Sequence, residues 1–309
     1  MILVAGGTGT LGRALVALLT ARQERVRVLT RDPARVPDLA ALGVELVRGD
    51  VRDAGAVAAA VQGASTVVSA VHGFTGGGGN SPRAVDRDGN RTLFDAARTA
   101  GVQHVVLVSV HGAAPDHPVE LMRMKYAAEQ ALRASGLAWT IIRSTVFMET
   151  WAQVIGQPLL ASRRTRVFGR STNAINFVSA HDVAQVIDQA SHDPALRGSV
   201  LAVGGPENLT LREVAATFER VLGIAGRTQA VPLPVMRAMA VLLRPVNATV
   251  ARQIHAGVVM ETRDMTWHAG RLGDPRLPVP RTTFAEVIAR EYRQQAHAVP
   301  SHATEEMRP

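Results

Sequence analysis

The sequence predicts an α/β protein: a doubly wound parallel sheet followed by a smaller, mainly helical C-terminal lobe. Three observations lead there. Short β-branched runs alternate with Ala- and Leu-rich amphipathic segments, the pattern of βαβ units. The first run, ILVAG at 2–6, passes straight into a glycine-rich turn and an apolar helix. The alternation fails after residue 145, where a different patterning begins.

In chain order the strands are expected at 2–6, 25–31, 44–50, 65–71, 104–110 and 138–144, with a seventh at 199–203. Helices are expected between them at about 11–22, 33–42, 53–61, 84–100 and 119–135. The stretch 146–175 reads as a loop and helix excursion. INFVSAHDVAQVI at 175–187 then returns to the sheet as a strand and a helix, with Asp182 as its N-cap. Beyond Gly204 the pattern is helical and turn-rich, and the polar, aperiodic end at 294–309 reads as a disordered tail.

Composition narrows the chemistry. The 309 residues suffice for one large α/β unit or two modest domains. With no cysteine, disulfides and thiolate chemistry are excluded, and the histidines lack metal spacing, so no metal is expected. A strand starting at Ile2 leaves no room for a leader peptide, so a cytoplasmic chain is expected. No run reaches the about 18 apolar residues of a membrane span. The longest candidate, VMRAMAVLLRPV at 235–246, is interrupted by Arg237 and Arg244 and reads as an amphipathic helix of the C-terminal lobe. The formal charge of +8 invites a nucleic-acid reading. Only SRRTRVFGR at 162–170 is dense in arginine, however, and no nucleic-acid fold surrounds it, so a surface rich in arginine plus a site for an anionic small molecule is expected instead.

The glycine turn is the strongest motif. Gly6, Gly7, Gly9 and Gly12, with Thr8, Thr10 and Leu11 between them, fit both GxGxxG and GxxGxxG at a strand-to-helix junction. Glycine permits the tight turn, the approach of a pyrophosphate to backbone, and close helix packing, while the helix start offers free N–H groups to phosphate. The second strand ends VLTRDP. Arg31 there, helped by Arg13, suits the 2′-phosphate of NADP(H), whereas Asp32 would suit the ribose hydroxyl of NAD.

The glycine turn, LTRDP, VVLVSVHGA, the block MKYAAEQALRASGLAWTIIRST and INFVSAHDVA together resemble the atypical short-chain dehydrogenase/reductases. More narrowly, they resemble the NmrA-like branch, whose relatives include quinone and isoflavone-type reductases. The resemblance is good over roughly residues 1–205 and loose beyond. It implies a Rossmann domain over 1–150, rejoined by 175–204, that binds NADP(H). Residues 151–174 and 205–293 would form the substrate lobe. It also implies that Asp50 and Val51 flank the adenine, that Ser69, Ala70 and Val71 line the cofactor, and that Ser144 and Thr145 lie near the nicotinamide. The family contains both reductases and nucleotide-binding proteins without turnover. An NADPH-dependent reductase acting on a small carbonyl, quinone or enone is therefore expected, with an NADP(H)-responsive regulator as the alternative. The possible partners are a second copy of the chain or a regulated protein.

Lys125 is the only lysine in the chain. The family's Tyr-x-x-x-Lys pair would need a tyrosine at 121, where leucine stands, and Tyr126 lies about 100° around the helix from Lys125. By resemblance to the isoflavone-type branch, Lys125 would anchor the nicotinamide ribose and relay a proton, with Ser109 orienting a substrate oxygen. The plain alternative is a surface lysine paired with Glu129. His72 and His111, both at carboxyl ends of strands, are candidate proton donors or incidental loop residues, and the glycine-rich loop after His72 could act as a lid. Phe147, Met148 and Trp151 would wall the substrate, or else belong to the core.

Overall fold

The computed structural model describes residues 1–77 and 79–297, with side chains through Arg293. The first half alternates as expected: β1 (Ile2–Ala5), α1 (Thr10–Ala21), β2 (Val26–Thr30), α2 (Pro37–Ala41), β3 (Glu45–Arg48), α3 (Ala54–Val61), β4 (Thr66–Ser69), α4 (Asn90–Thr99), β5 (His104–Val110), α5 (Glu120–Arg133) and β6 (Trp139–Ser144). The expected helix at 33–42 is broken. Pro33–Arg35 forms a single tight turn and α2 starts at Pro37, because a residue before proline, here Val36, avoids helical backbone. A wide π-type turn, Arg83–Gly89, leads into α4.

The second half runs β7 (Val146–Phe147), α6 (Met148–Trp151), α7 (Gln157–Ser162), β8 (Arg164–Phe168), β9 (Ile175–Val178), α8 (Ala180–His192), β10 (Val200–Val203), β11 (Glu207–Leu209), α9 (Leu211–Leu222), β12 (Arg227–Val231), α10 (Leu233–Leu242), α11 (Ala248–Thr262), α12 (Ala269–Leu272) and α13 (Phe284–His297). Seven strands form one parallel sheet in the order β10-β6-β5-β4-β1-β2-β3. This is the Rossmann arrangement with one further parallel strand.

Strand periodicity explains the two covered faces. Ile2, Val4, Val28, Val68, Val106 and Ile142 point to one side, where α1 and α8 bring Leu15, Leu19, Val183 and Ile187. The alternate residues Leu3, Ala5, Leu29, Val67, Val105 and Ile141 meet Val57, Leu93, Phe94 and Leu132 from α3, α4 and α5. Burial on both faces is why these strands read as continuous apolar runs.

The lobe differs from expectation in four places. Ile175–Val178 does not rejoin the main sheet; it lies between β7 and β11 in a separate three-stranded sheet, and only α8 and β10 return. The lobe also has a parallel pair, β8 with β12, so it is less purely helical than its composition suggests. Ser179, not Asp182, caps α8 by accepting from the His181 N–H at 3.2 Å. Asp182 accepts instead from Thr282 Oγ1 at 2.7 Å and Thr282 N at 3.1 Å, fastening the segment before α13. Helix α13 continues to His297, into the expected tail, and 298–309 lie outside the described residues. Met148, Trp151, Phe177, Phe218, Phe284 and Tyr292 form the lobe's own core.

His104 at the start of β5 gives the fold a pH dependence. Its Nε2 lies 3.0 Å from Thr140 Oγ1, whose own proton goes to Leu196 O at 2.9 Å, so Nε2 carries the hydrogen in the network. Nδ1 is buried without a hydrogen-bond partner. Burial, helped by Arg197, pushes the imidazole pKa down to about 4. The unfolded chain therefore takes up this proton first on acidification. The stability contribution is complete above about pH 6.5 and is lost as the pH falls toward 4. Urea midpoints should drop across that window, and more shallowly in His104→Gln. Parallel profiles for the two proteins would remove His104 as the cause.

Candidate functional site

β1 ends at Ala5 and the chain reverses at Gly6, whose φ of +90° suits only glycine. A side chain at Gly6 would run into Ala70 O, one at Gly7 would meet Val28 Cγ1 at 2.7 Å, and one at Gly12 would strike the backbone of Gly6 and Gly7. These three glycines let α1 press against the ends of β1, β2 and β4. Gly9 is different: a Cβ there would have no neighbour nearer than Gly6 O at 3.6 Å. Gly9 begins α1 with no side-chain cap, and the first turn holds no acid. Gly9 and Thr10 are exposed, so unpaired helix N–H groups face solvent beside them. A pyrophosphate fits that cradle. Leu11 is buried and could reach a nucleotide only through its backbone. Arg13 Nε donates to Thr8 O at 3.0 Å and its guanidinium pairs with Asp38, which braces the loop from one side.

At the end of β2, Arg31 is exposed, with one long 3.5 Å hydrogen bond to Asn80 Oδ1. Asp32 is turned to local work: it accepts from Ala34 N at 3.2 Å and stands 3.6 Å from Arg48. Asp50 receives two 2.8 Å hydrogen bonds from Arg52. Those bonds, with Arg31 nearby, hold its carboxyl below the usual carboxylate range. Val51 is buried against Gly89. Both acids at this end already have arginine partners, while Arg31 has no anion of its own.

Lys125 is buried at 5% exposure, not a surface residue, and its partner is not Glu129. Its Nζ donates to Val71 O at 2.9 Å and Val108 O at 3.0 Å and lies 3.0 Å from Asp86 Oδ1. The ammonium thus ties the ends of β4 and β5 to the turn before α4. Asp86, fully buried, also accepts from Gly73 N at 2.9 Å. Ser69 donates to Asn90 Oδ1, and Asn90 Nδ2 to Asp86 O, each at 2.6 Å, so Ser69 belongs to this network and does not offer its hydroxyl to the cleft. Sequence reasoning missed Asp86. The signal was there: Asp86 and Asn90 stand one turn apart, and Asn90 and Leu93 less than one, on the buried side of a helical segment.

Glu129 faces the other way. It accepts 2.5 Å from Ser109 Oγ and is clamped by Arg143 Nε and Nη2 at 2.8 and 2.6 Å. The Ser109 proton is therefore committed inside the protein. Leu121, where the tyrosine would stand, packs with Phe74 and Met122 against Val119, Ala256 and Val259. Apolar packing stands where the family's phenol would be.

His72 exposes more than a third of its surface, yet burial among surrounding protein still lowers its pKa, with Lys125 and Arg252 adding to that and Asp86 opposing it. The His72 ring is 6.0 Å from that of Phe74. The glycine-rich loop after it is tethered: Arg252 donates to Phe74 O at 2.9 Å and Gly76 O at 3.0 Å, and Thr249 to Gly76 O at 3.1 Å. His111 packs edge-on to Trp267 at 5.2 Å, and burial followed by Arg143 lowers its pKa. Its N–H bonds Ser144 O at 2.8 Å. Thr145 donates to Asn176 Oδ1 at 2.8 Å, and Asn176 in turn donates to Gly205 O at 3.0 Å, an anchor between sheet and lobe that sequence reasoning did not single out. Met148 and Trp151 are core residues of the lobe, the second of the two places the sequence leaves open for them; the half-buried Phe147 packs beside Ala70 and remains available. Among the described residues no cluster of three or more His, Asp and Glu could hold a metal.

Residues 6–194 match the family model described as NAD(P)H-binding. The chain is 33% identical over 237 residues to the NAD(P)H azoreductase of Xenophilus azovorans, covering 75% of this chain and 78% of that one. It is 36% identical over 227 residues to the (4-alkanoyl-5-oxo-2,5-dihydrofuran-3-yl)methyl phosphate reductase of Streptomyces griseus, covering 72% and 74%. The fold is shared with the Citrobacter triphenylmethane reductase complexed with NADP(H), at a TM-score of 0.74 and 19% identity over 96% of this chain and 99% of that one. The glycine cradle, the sheet order and these matches together place the chain in the NAD(P)H-binding family of NmrA-like, atypical short-chain dehydrogenase/reductases.

Proposed function

We propose that the chain is an NADPH-dependent reductase that delivers hydride to a flat, conjugated acceptor of the quinone, enone or azo type. The observation that carries this reading is the apolar wall around Leu121 beside the buried Lys125. A simple ketone needs an acid to trap its alkoxide, and no phenol stands one turn before the lysine to give that proton. A quinone or enone spreads the incoming charge over a conjugated system, so a weaker donor or water suffices. The partly buried apolar surface of Phe74, Leu121 and Met122 suits contact with such a ring.

NADPH would supply the hydride. Residues Gly6–Gly12 would hold its pyrophosphate, Arg31 with Arg13 its 2′-phosphate, and Asp50 and Val51 its adenine. Ala70, Val71, Ser144, Thr145 and Phe147 would border the nicotinamide. Lys125, fixed by Asp86, would position the ends of β4 and β5 under that ring, and His72, exposed just beyond β4, would donate the proton. The named activities of the azoreductase and the furanone-phosphate reductase support reduction of conjugated acceptors.

One observation favours a second reading, a nucleotide-state sensor without turnover. Three protein oxygens already surround the Lys125 ammonium. The deciding assay follows NADPH and NADH oxidation against a quinone, an enone, an azo dye and a simple ketone. Turnover of the conjugated acceptors with NADPH, and not of the ketone, is expected. NADPH binding without consumption on any acceptor would favour the sensor. Equal or tighter NADH binding would remove Arg31 from the nucleotide site.

A further inference from the structure

From Arg220 to Met260 the chain has no acidic residue and five arginines, Arg220, Arg227, Arg237, Arg244 and Arg252. This stretch contains α10 and all of α11 except its last two residues, Glu261 and Thr262. Helix α10 buries only Met236, which rests over Gly257 of α11 at 3.1 Å from its would-be Cβ. Much of the remaining surface of α10 is apolar and open. Val241 and Leu242 are each 72% exposed, Val246 in the following turn 83%, and Val235 and Met239 at least 40%. At about 100° per residue, Pro234, Ala238, Val241, Leu242 and Val235 share one solvent-facing arc, with Arg237 and Arg244 together on its edge. Neither guanidinium has a hydrogen-bond or ion-pair partner among the described residues.

We infer that this face of α10 docks onto an anionic lipid surface, the apolar arc entering the headgroup boundary and the arginines meeting lipid phosphates. No helix of the described residues is long and apolar enough to cross a membrane, so the contact is peripheral. An apolar arc edged by unpaired arginines, in a segment free of acids, is the pattern of interfacial helices. A protein partner or a second copy could cover apolar surface equally well. It would not account for the exclusion of every acid over the whole stretch. All 26 acids of the chain lie outside that stretch, interspersed with the remaining basic residues along the sequence.

The position of the helix gives docking a consequence. Helix α11, on which α10 rests, also supplies Ala256 and Val259 to the wall beside Leu121, and Arg252 to the loop carrying Phe74. Docking through α10 would bring that wall near lipid, where apolar acceptors are dissolved; this extension, unlike the docking itself, rests on the reductase reading.

The test is co-sedimentation of the purified protein with vesicles of phosphatidylcholine alone or mixed with phosphatidylglycerol. Binding is expected only to the anionic vesicles and should weaken with added salt. Arg237→Gln with Arg244→Gln should cut the partition coefficient about thirtyfold, from roughly fivefold per basic residue near an anionic surface. Val241→Ser with Leu242→Ser, at open positions, should reduce it by at least about tenfold while NADPH binding is unchanged. Equal binding to neutral vesicles, or indifference to both pairs of substitutions, would overturn the inference. So would absence of vesicle binding together with dimers that disappear in Val241→Ser/Leu242→Ser, since a second copy would then be what covers the face.

Discussion

Asp86→Ala will cost about 3–5 kcal/mol of folding stability, the loss typical when one member of a buried ion pair is removed. The cost arises from Lys125. Its ammonium is almost fully enclosed and would keep two carbonyl acceptors but lose its counter-charge, while Gly73 N loses its acceptor as well. Combining Asp86→Leu with Lys125→Met should restore all but about 1 kcal/mol, because an apolar pair of similar volume needs no charge compensation. Urea unfolding of the singles and the double measures this coupling. A single-mutant loss below about 1 kcal/mol, or a double mutant no steadier than the singles, would show that the pair does not act as a unit. The double also separates folding from chemistry. A folded protein that binds NADPH and has lost turnover would show that the lysine takes part in reduction, whereas undiminished turnover would confine it to architecture.

Gly12→Ala will weaken NADPH binding by about a hundredfold and Gly9→Ala will weaken it for a different reason. A methyl group at residue 12 meets the backbone of Gly6 and Gly7, which cannot rotate away as a side chain could. Helix α1 must therefore retreat from β1, opening the phosphate cradle and adding overpacking strain of about 1–3 kcal/mol. At residue 9 the same methyl meets nothing closer than 3.6 Å, so the fold is untouched and only the incoming phosphate is obstructed. Calorimetric titration with NADPH beside thermal unfolding distinguishes them: Gly12→Ala loses both properties, Gly9→Ala binding alone. A Gly12→Ala protein that binds NADPH like the wild type would disprove the cradle as described.

The Rossmann half was legible because parallel strands covered on both faces are apolar along their whole length, and because the glycine turn reports a backbone constraint directly. Lys125 stands out as the only lysine and by its place in the family pattern, but its partner does not. Asp86 looks like one more acid in a charged run, RAVDRDGN, where its one-turn spacing to Asn90 is the slight sign that the turn before α4 points it inward. The lobe was harder to read for a physical reason. Its strands are two to five residues long and pair across distances of about 30 to 63 residues, so no local period announces them. For Met148 and Trp151 the sequence leaves substrate wall and core both open, because a large apolar side chain after a strand end looks alike whether it faces a ligand or Phe177 and Phe218. Ser109 is expected by resemblance to orient a substrate oxygen, and nothing in its neighbours in sequence reveals Glu129 or Arg143.

A folded chain with one lysine, sealed inside, is close to invisible to amine-directed reagents apart from its terminal amine. Acylation of Lys125 must wait until α5 lifts from the strand ends and the Asp86 contact breaks. The rate of that modification therefore reads out how often this one region breathes, without isotopes and without an introduced probe. Arginine usage elsewhere in the chain has left a single chemical clock, set at the centre of the proposed site.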